Sequence, residues 1–337
     1  MVAISKPALP RMGLGMAALG RPGYINLDRT DIFGNDGTRS VETMQTQANH
    51  VMDKLFSIST GDTHPRRRPW LDCARSYGKS EKFVGDYLRS NNITPEDVYV
   101  SSKWGYTYVA DWNVQLDAGE PHEVKDHSVE NFLKQVEETA EHLGEYVDLY
   151  QIHSATFESG VLTDLRVHEA LNKCRQERGW SLGLSVSSPQ QGDILREAMK
   201  LQTAEQTPLF DSVQCTYNVL EQRAGEALLE AHQAGLDIII KEGLANGRIF
   251  NNESVTKYST KLQCQPDQLA LGCILAQPFE PRVLSGAVTE SQLESNFKAL
   301  QISEMLKEDQ SLLKEIMESC LVPSVDYWSE RSALAWN

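Results

Sequence analysis

Eight short β-type runs recur along this chain, and each is followed by a longer stretch with helical periodicity. The runs lie at 12–20, 70–74, 98–104, 147–153, 181–187, 212–218, 236–242 and 282–287. Between and after them, apolar residues recur at helical spacing over 41–56, 79–90, 128–144, 163–176, 189–202, 222–235, 266–277 and 291–301. Ser128 and Thr163 are placed as N-caps, Ser291 sits in a first turn, and Gly144 and Gly235 are placed just past helix ends. A strand that returns parallel to its predecessor needs a crossover helix, so eightfold alternation predicts one closed (β/α)8 TIM barrel. An open doubly wound sheet is the alternative that the pattern alone leaves. The reading treats 1–337 as a single barrel domain, with 303–337 as a C-terminal helix and tail over it. The Gly-, Asp- and Asn-rich connection 21–41 and the long loop 105–127 after the third strand also stand outside the repeat.

Charge narrows the partners. Lys plus Arg is 32 against 47 for Asp plus Glu, a formal charge of −15. Phosphate backbones and anionic lipid repel such a surface, so neither nucleic acid nor a membrane is an expected partner. The six cysteines form no CxxC and no Cys/His cluster with zinc spacing, so no metal site is expected. The first residues lack an apolar signal core, and no apolar run approaches the roughly 18 residues of a membrane span. The expectation is a reduced, cytoplasmic protein; the sequence does not speak to its oligomeric state.

Barrels of this type gather their chemistry at the C-terminal ends of the strands. There the second strand offers Asp72 and, in the turn beyond it, Tyr77; the third offers Lys103 and the fourth His153. Taken singly, each has a structural explanation: a helix cap, a turn aromatic, a solvent-reaching lysine, a hydrogen-bonded histidine. Together they form a coherent set. A phenol with a pKa of about 10 is a poor acid near neutrality, and a lysine ammonium beside it favours ionisation. An aspartate keeps the lysine charged and in place. A histidine donates a hydrogen bond to a carbonyl oxygen as charge develops there. Such a set protonates an alkoxide formed when hydride reaches a carbonyl, and the hydride must come from a cofactor.

The segments WLDCARSYGKSE, SSKWG and VDLYQIHS resemble the aldo-keto reductase superfamily, whose Asp, Tyr, Lys, His tetrad occurs in that order. SVQCTYN, LANGRIF and LSGAVTESQLESN resemble its sixth-strand motif, its loop after the seventh strand and its last βα turn. The resemblance spans about residues 10–300. It implies an NADPH-dependent aldo-keto reductase, an NAD(P)(H) oxidoreductase that interconverts a small-molecule carbonyl and an alcohol. Tyr77 would be general acid/base, Lys103 its tuner, Asp72 the partner of Lys103, and His153 the residue that orients the substrate. For the cofactor it implies Ser185 and Gln214 at the carboxamide, and the final turn with Gly286, Gln292 and Asn296 at the adenosine end. Lys241, Leu244, Gly247 and Arg248 fall on the seventh-strand loop, and Gly15 and Met16, with Gly13 before them, would lie beneath the cofactor. NADP(H) is the expected cofactor, with NAD(H) as the alternative.

The chain departs from the family pattern at several points. Val186 stands where many members have Asn, and Lys241-Glu242 stands where an aromatic often stacks on the nicotinamide. The last turn lacks the Lys and Arg that grip a 2′-phosphate, which leaves Arg248 to supply that charge. Tyr106 and Trp112 in the loop 105–127 are the expected substrate contacts. Two rivals remain at this point: a regulatory or binding protein on the same fold, for which the cofactor is a structural or sensing ligand, and a pyridoxal-phosphate barrel with Lys103 as Schiff base.

Overall fold

The computed structural model describes residues 9–25, 39–60, 68–117 and 119–337. Eight parallel strands close a barrel: β1 (Met12–Gly15), β2 (Trp70–Asp72), β3 (Tyr99–Trp104), β6 (Val147–Ile152), β7 (Ser181–Ser185), β8 (Ser212–Thr216), β9 (Asp237–Lys241) and β10 (Arg282–Ser285). They pair in chain order, and β10 closes onto β1 through Met12 opposite Val283. The open doubly wound sheet is thereby excluded. Each strand is shorter than its sequence estimate, and all but β3 stop before its end. β1 ends at Gly15 because the chain turns at once, with the Leu19 and Gly20 amides both donating to the Met16 carbonyl.

The outer helices are α1 (Val41–Thr60), α2 (Ser80–Ser90), α3 (Val129–Leu143), α4 (Leu165–Arg178), α5 (Gln191–Ala198), α6 (Gly225–Gln233), α7 (Glu253–Lys261), α8 (Pro266–Leu275) and α9 (Glu290–Phe297). Their apolar faces and the outward faces of the strands form the main core, in which Leu14, Phe83, Leu184, Val213 and Ile274 are fully buried. Ser128 caps α3 as expected, accepting from the Asn131 amide. Asp164, not Thr163, caps α4: its carboxylate takes the Arg166 amide, while the Thr163 hydroxyl turns back to the Gly160 carbonyl. All six cysteines are free thiols, five of them buried.

Three regions differ from the sequence reading. The loop 105–127 carries a hairpin, β4 (Tyr106–Tyr108) against β5 (Glu123–Lys125). Helix α7 is an extra element between β9 and α8. The C-terminal region is not one helix and a tail but α10 (Ala299–Glu308), α11 (Gln310–Cys320) and α12 (Ser324–Ser332). The final residues then return to the barrel mouth, where Asn337 and Tyr24 exchange backbone hydrogen bonds and Ile25 bridges Trp336. Most of the connection 21–41 lies outside the described residues. No described helix is long and apolar enough to cross a membrane.

Inside the barrel a separate layer of Trp70, Tyr99, Leu149, Ile239 and Leu284 fills the lumen. The Arg282 guanidinium lies 4.0 Å from the Trp70 ring centroid and 4.5 Å from that of Tyr99, and pairs with Asp237 at 2.6 Å. Gly13 belongs to this layer: a Cβ on it would fall 2.3 Å from Trp70. Its lack of a side chain makes room for the indole, not for a cofactor.

Candidate active site

The C-terminal ends of β1, β2, β6, β8, β9 and β10 surround a cavity of about 520 Å³. Asp72, Tyr77 and His153 line it at one end, and it continues past Gln214 and Lys241 to Gly286 and α9. The four residues expected to act together are thus neighbours. Lys103 is wholly buried in the wall; its ammonium pairs with Asp72 and donates to the Cys73 carbonyl at 2.9 Å. It lies 4.9 Å from the Tyr77 ring centroid. The Tyr77 ring meets His153 edge-on, with centroids 5.4 Å apart.

Asp72 is held from below. The Trp70 indole donates to Ser101 Oγ at 2.9 Å, and Ser101 Oγ donates to Asp72 Oδ1 at 2.7 Å. The core layer therefore orients the carboxylate that anchors Lys103. His153 is set in the same way: the His127 Nε2–H donates to its carbonyl at 2.9 Å, and Ser76 Oγ lies 3.3 Å from its Nδ1. Burial keeps His153 well below the usual histidine range, and the nearby Lys103, Lys241 and Arg21 add to this. His127 is likewise pushed down to about 4, chiefly by burial.

The electrostatics correct one expectation. Tyr77 is not acidified; its pKa is raised well above the usual phenol value, first by burial and then by the Asp72 carboxylate. The Lys103 charge is spent on Asp72, so the phenol faces a nearly neutral pair. Arg21 is the main cation that opposes the rise.

The cofactor residues expected from sequence divide into two groups. Gly15, Gln214, Lys241, Leu244, Gly247, Gly286, Gln292 and Asn296 line the cavity. Met16, Ser185 and Arg248 do not. Met16 is buried core. Ser185 lies behind the wall, its hydroxyl accepting from the Ser154 amide at 2.9 Å, and Ser187 stands in the lining instead. Arg248 donates to the Tyr327 carbonyl, approaches Glu330 and covers the Tyr327 ring at 4.1 Å. Gln292 and Asn296 shape the last turn: Gln292 Oε1 takes the Val288 amide, and Asn296 bridges Ser285 and Asp267.

Neither expected substrate contact lines the cavity. Trp112 donates to the Arg39 carbonyl and packs on Phe83, so it fastens the loop. Tyr106 packs against His153, with centroids 5.1 Å apart, and thereby supports that ring from behind.

The mouth is completed by Glu242, which the sequence had marked beside Lys241, and by four residues it did not: Arg21, Tyr24, Glu123 and Arg331. Arg331 on α12 clasps Glu242 by two hydrogen bonds of 2.6 and 2.8 Å. Burial alone would raise the Glu242 carboxyl, but Arg331 and Lys241 hold it down to about 2. Burial lowers Lys241 to about 8 despite Glu242. Trp336 stacks flat on His122 at 4.0 Å, so the C-terminal tail is strapped to the loop beyond β4. Glu242 and Arg331 are far apart in sequence and carry no shared motif. Only the Lys241-Glu242 departure signalled them. Among the described residues no cluster of His, Cys, Asp or Glu is arranged to hold a metal.

The model of the Aldo/keto reductase family matches residues 33–318. The NADH-specific methylglyoxal reductase of Escherichia coli (strain K12) is 25% identical over 282 residues, covering 74% of this chain and 83% of that one. The uncharacterised oxidoreductase YqkF of Bacillus subtilis (strain 168) is 22% identical over 302 residues, covering 81% and 88%. Among solved structures, an aldo-keto reductase from Bacillus halodurans in its holo form superposes with a TM-score of 0.65 at 18% identity, over 93% of each chain. An aldo-keto reductase from a Medee basin deep-sea metagenome library gives 0.60 at 17% identity, over 92% of each. This chain belongs to the aldo/keto reductase family.

Proposed function

We propose that the protein is a nicotinamide-dependent carbonyl reductase in which Tyr77 donates the proton and His153 orients the carbonyl. The observation that carries this reading is the meeting of Tyr77, His153 and the Asp72–Lys103 pair at one end of a cavity that continues to the last βα turn and α9. Two features of the lining fit a nicotinamide cofactor. Gln214 Oε1 is buried without a hydrogen-bond partner, an acceptor suited to a carboxamide N–H. Gly286 leaves its stretch of wall bare, since nothing lies within 4 Å of a Cβ built there. Bound there, the cofactor supplies the hydride.

The residues then divide the work. With the Ser76 hydroxyl donating to Nδ1, His153 carries its proton on Nε2, and that N–H is free to hold a carbonyl oxygen. Its depressed pKa keeps it neutral at pH 7, so it polarises the carbonyl without competing as an acid. Tyr77 stays protonated across the neutral range and is poised to donate to the developing alkoxide. Lys103 packs against the Tyr77 ring and offsets the Asp72 charge beside it, while the Ser101 and Trp70 chain keeps Asp72 in place.

For the cofactor, the lining favours NAD(H) over the NADP(H) expected from resemblance. Among the described residues the cationic lining is Arg21, Lys241 and Arg331, and none belongs to the last turn or α9. Asp267 lines that far end instead, where a carboxylate accepts from ribose hydroxyls and repels a 2′-phosphate. Arg248, the remaining candidate for a phosphate grip, is committed to Tyr327 and Glu330. The NADH-specific name of the Escherichia coli relative points the same way.

The test is oxidation of NADH and of NADPH by the purified protein with a panel of aldehydes that includes methylglyoxal. The expected result is turnover with NADH in excess of NADPH, and a fall in kcat of about 10²–10⁴ in Tyr77→Phe while NADH still quenches the protein's fluorescence. A Tyr77→Phe enzyme that kept most of its rate would remove Tyr77 from the chemistry. The binding-protein reading predicts cofactor binding without turnover.

A further inference from the structure

Arg21 is only 3% exposed, yet it lines the cavity beside Tyr77. Three rings surround its guanidinium: Tyr24 at 5.4 Å, Tyr77 at 5.3 Å and Trp336 at 4.7 Å from carbon to centroid. One nitrogen, Nη1, is used, donating to the Ser76 carbonyl and to Glu123 Oε2, each at 2.8 Å. The opposite edge is not. Nε is buried without a partner, and among the described residues no hydrogen bond involves Nη2. Buried donors left unpaired are costly, and a guanidinium more than most. The proposed proton transfer gives them no task.

Charge around this end points the same way. Arg21, Lys241 and Arg331 line the cavity here, against the carboxylates Glu123 and Glu242. Asp72 is neutralised by Lys103 behind it. Among the described residues, three cations less two carboxylates leave one positive charge here, in a chain whose formal charge is −15. Glu123 is 25% exposed, so solvent screens its hold on Arg21 and the guanidinium is only partly compensated.

Building on the carbonyl-reductase reading, we infer that Arg21 determines specificity by receiving a carboxylate on the substrate, which makes oxo acids the substrate class. Nε is closed off by its surroundings, so Nη2 is the donor left to a ligand, and a charge-assisted hydrogen bond from it suits a carboxylate. The surrounding rings hold the fork still, so little side-chain entropy is lost on binding. A carboxylate a few bonds from the carbonyl can rest on Arg21 while the carbonyl oxygen meets Tyr77 and His153. A neutral sugar or simple aldehyde would leave that donor unpaired, which is how a buried polar group discriminates against a substrate lacking its partner.

The test compares kcat/KM for glyoxylate, pyruvate and succinic semialdehyde with that for the methyl ester of each. A parallel titration follows oxamate, a carboxylate that is not reduced, by calorimetry with and without NADH. The wild-type enzyme is expected to prefer acid over ester by tenfold or more. Arg21→Leu should lower the acid-to-ester ratio by roughly tenfold to a hundredfold and abolish oxamate binding. Glu123→Gln, which frees Arg21 from its counter-ion, should move both readouts the opposite way, raising the ratio severalfold. A structural clasp between Arg21 and Glu123 predicts losses of the same sign in both variants, and that result would overturn the inference, as would a wild type that ignores the carboxylate. A fall in NADH affinity in step with oxamate affinity in Arg21→Leu would overturn it too, assigning Arg21 to the cofactor. Should Arg21→Leu not fold, Glu123→Gln decides the sign alone. Absence of any carbonyl turnover would fail the reductase reading, while the oxamate titration still reports on the anion site.

Discussion

Two ion pairs are built into the same barrel, and they differ in what surrounds them. Arg282 and Asp237 pair where β10 and β9 begin, with the guanidinium lying against Trp70 and Tyr99. Lys103 and Asp72 pair where β3 and β2 end, beside Tyr77 and the cavity. Both cations are at most 3% exposed. The Arg282 guanidinium faces packed rings and the Pro10 carbonyl, while Asp237 opens partly to solvent at the closed end of the barrel. The second pair faces a phenol, a neutral histidine and open volume. The same burial of charge is scaffold at the strand starts and part of the proposed machinery at the strand ends, because parallel strands direct all their C-terminal loops to one rim.

The comparison is broken most sharply by removing each cation in turn. Lys103→Met should destabilise by about 3–5 kcal/mol, since it strands the buried Asp72 carboxylate, and Arg282→Met should destabilise by less, since Asp237 stays partly open to solvent. Denaturant titration checks that. Only Lys103→Met should also cost turnover, by a hundredfold or more on the folded fraction, whereas Arg282→Met should stay within about threefold. Comparable kcat losses in both would erase the distinction between the two ends.

A smaller effect sharpens the active end through pH. His127 supports the His153 carbonyl and has its pKa lowered from the usual 6.5 to about 4 by burial. The unfolded chain then binds a proton more readily than the folded one between those values. His127 therefore contributes stability that is fully present above about pH 6.5 and is lost as pH falls toward about 4, up to roughly 3 kcal/mol. Urea midpoints measured across that range should fall in the wild type and fall less in His127→Gln. Equal slopes would show that His127 is not the group responsible.

The smallest expected effect is that of Arg248→Ala on cofactor choice. Its guanidinium lies on Tyr327 and Glu330, so the ratio of NADPH to NADH activity should change by less than about threefold. A collapse of NADPH activity alone would restore Arg248 as a phosphate grip.

Much of the architecture was legible because strands and helices announce themselves locally. The parallel strands are buried on both faces, so they read as short apolar runs, and the crossover helices carry a 3.6-residue period. The hairpin β4–β5 escaped notice because its residues are half-buried or exposed and its place is set by contacts from elsewhere. Gln135 on α3 accepts from the Gly105 amide and donates to the Tyr106 carbonyl. Trp112 looked like a substrate contact because an aromatic in a loop fits a pocket wall and a loop fastening equally well. Only its hydrogen bond to Arg39 decides.

By itself the sequence determined the eightfold alternation, and with it the end of the barrel at which Asp72, Tyr77, Lys103 and His153 must gather. Those features depend on local periodicity and on the one-sided geometry of parallel strands. The tertiary structure alone decided that the Lys103 charge is consumed by Asp72, that Arg248 turns away, and that Arg21, Glu242 and Arg331 share the mouth. Protonation states and pocket charge depend on burial and on distances between residues far apart in the chain, 89 positions for Glu242 and Arg331 and 102 for Arg21 and Glu123, and no local pattern encodes them.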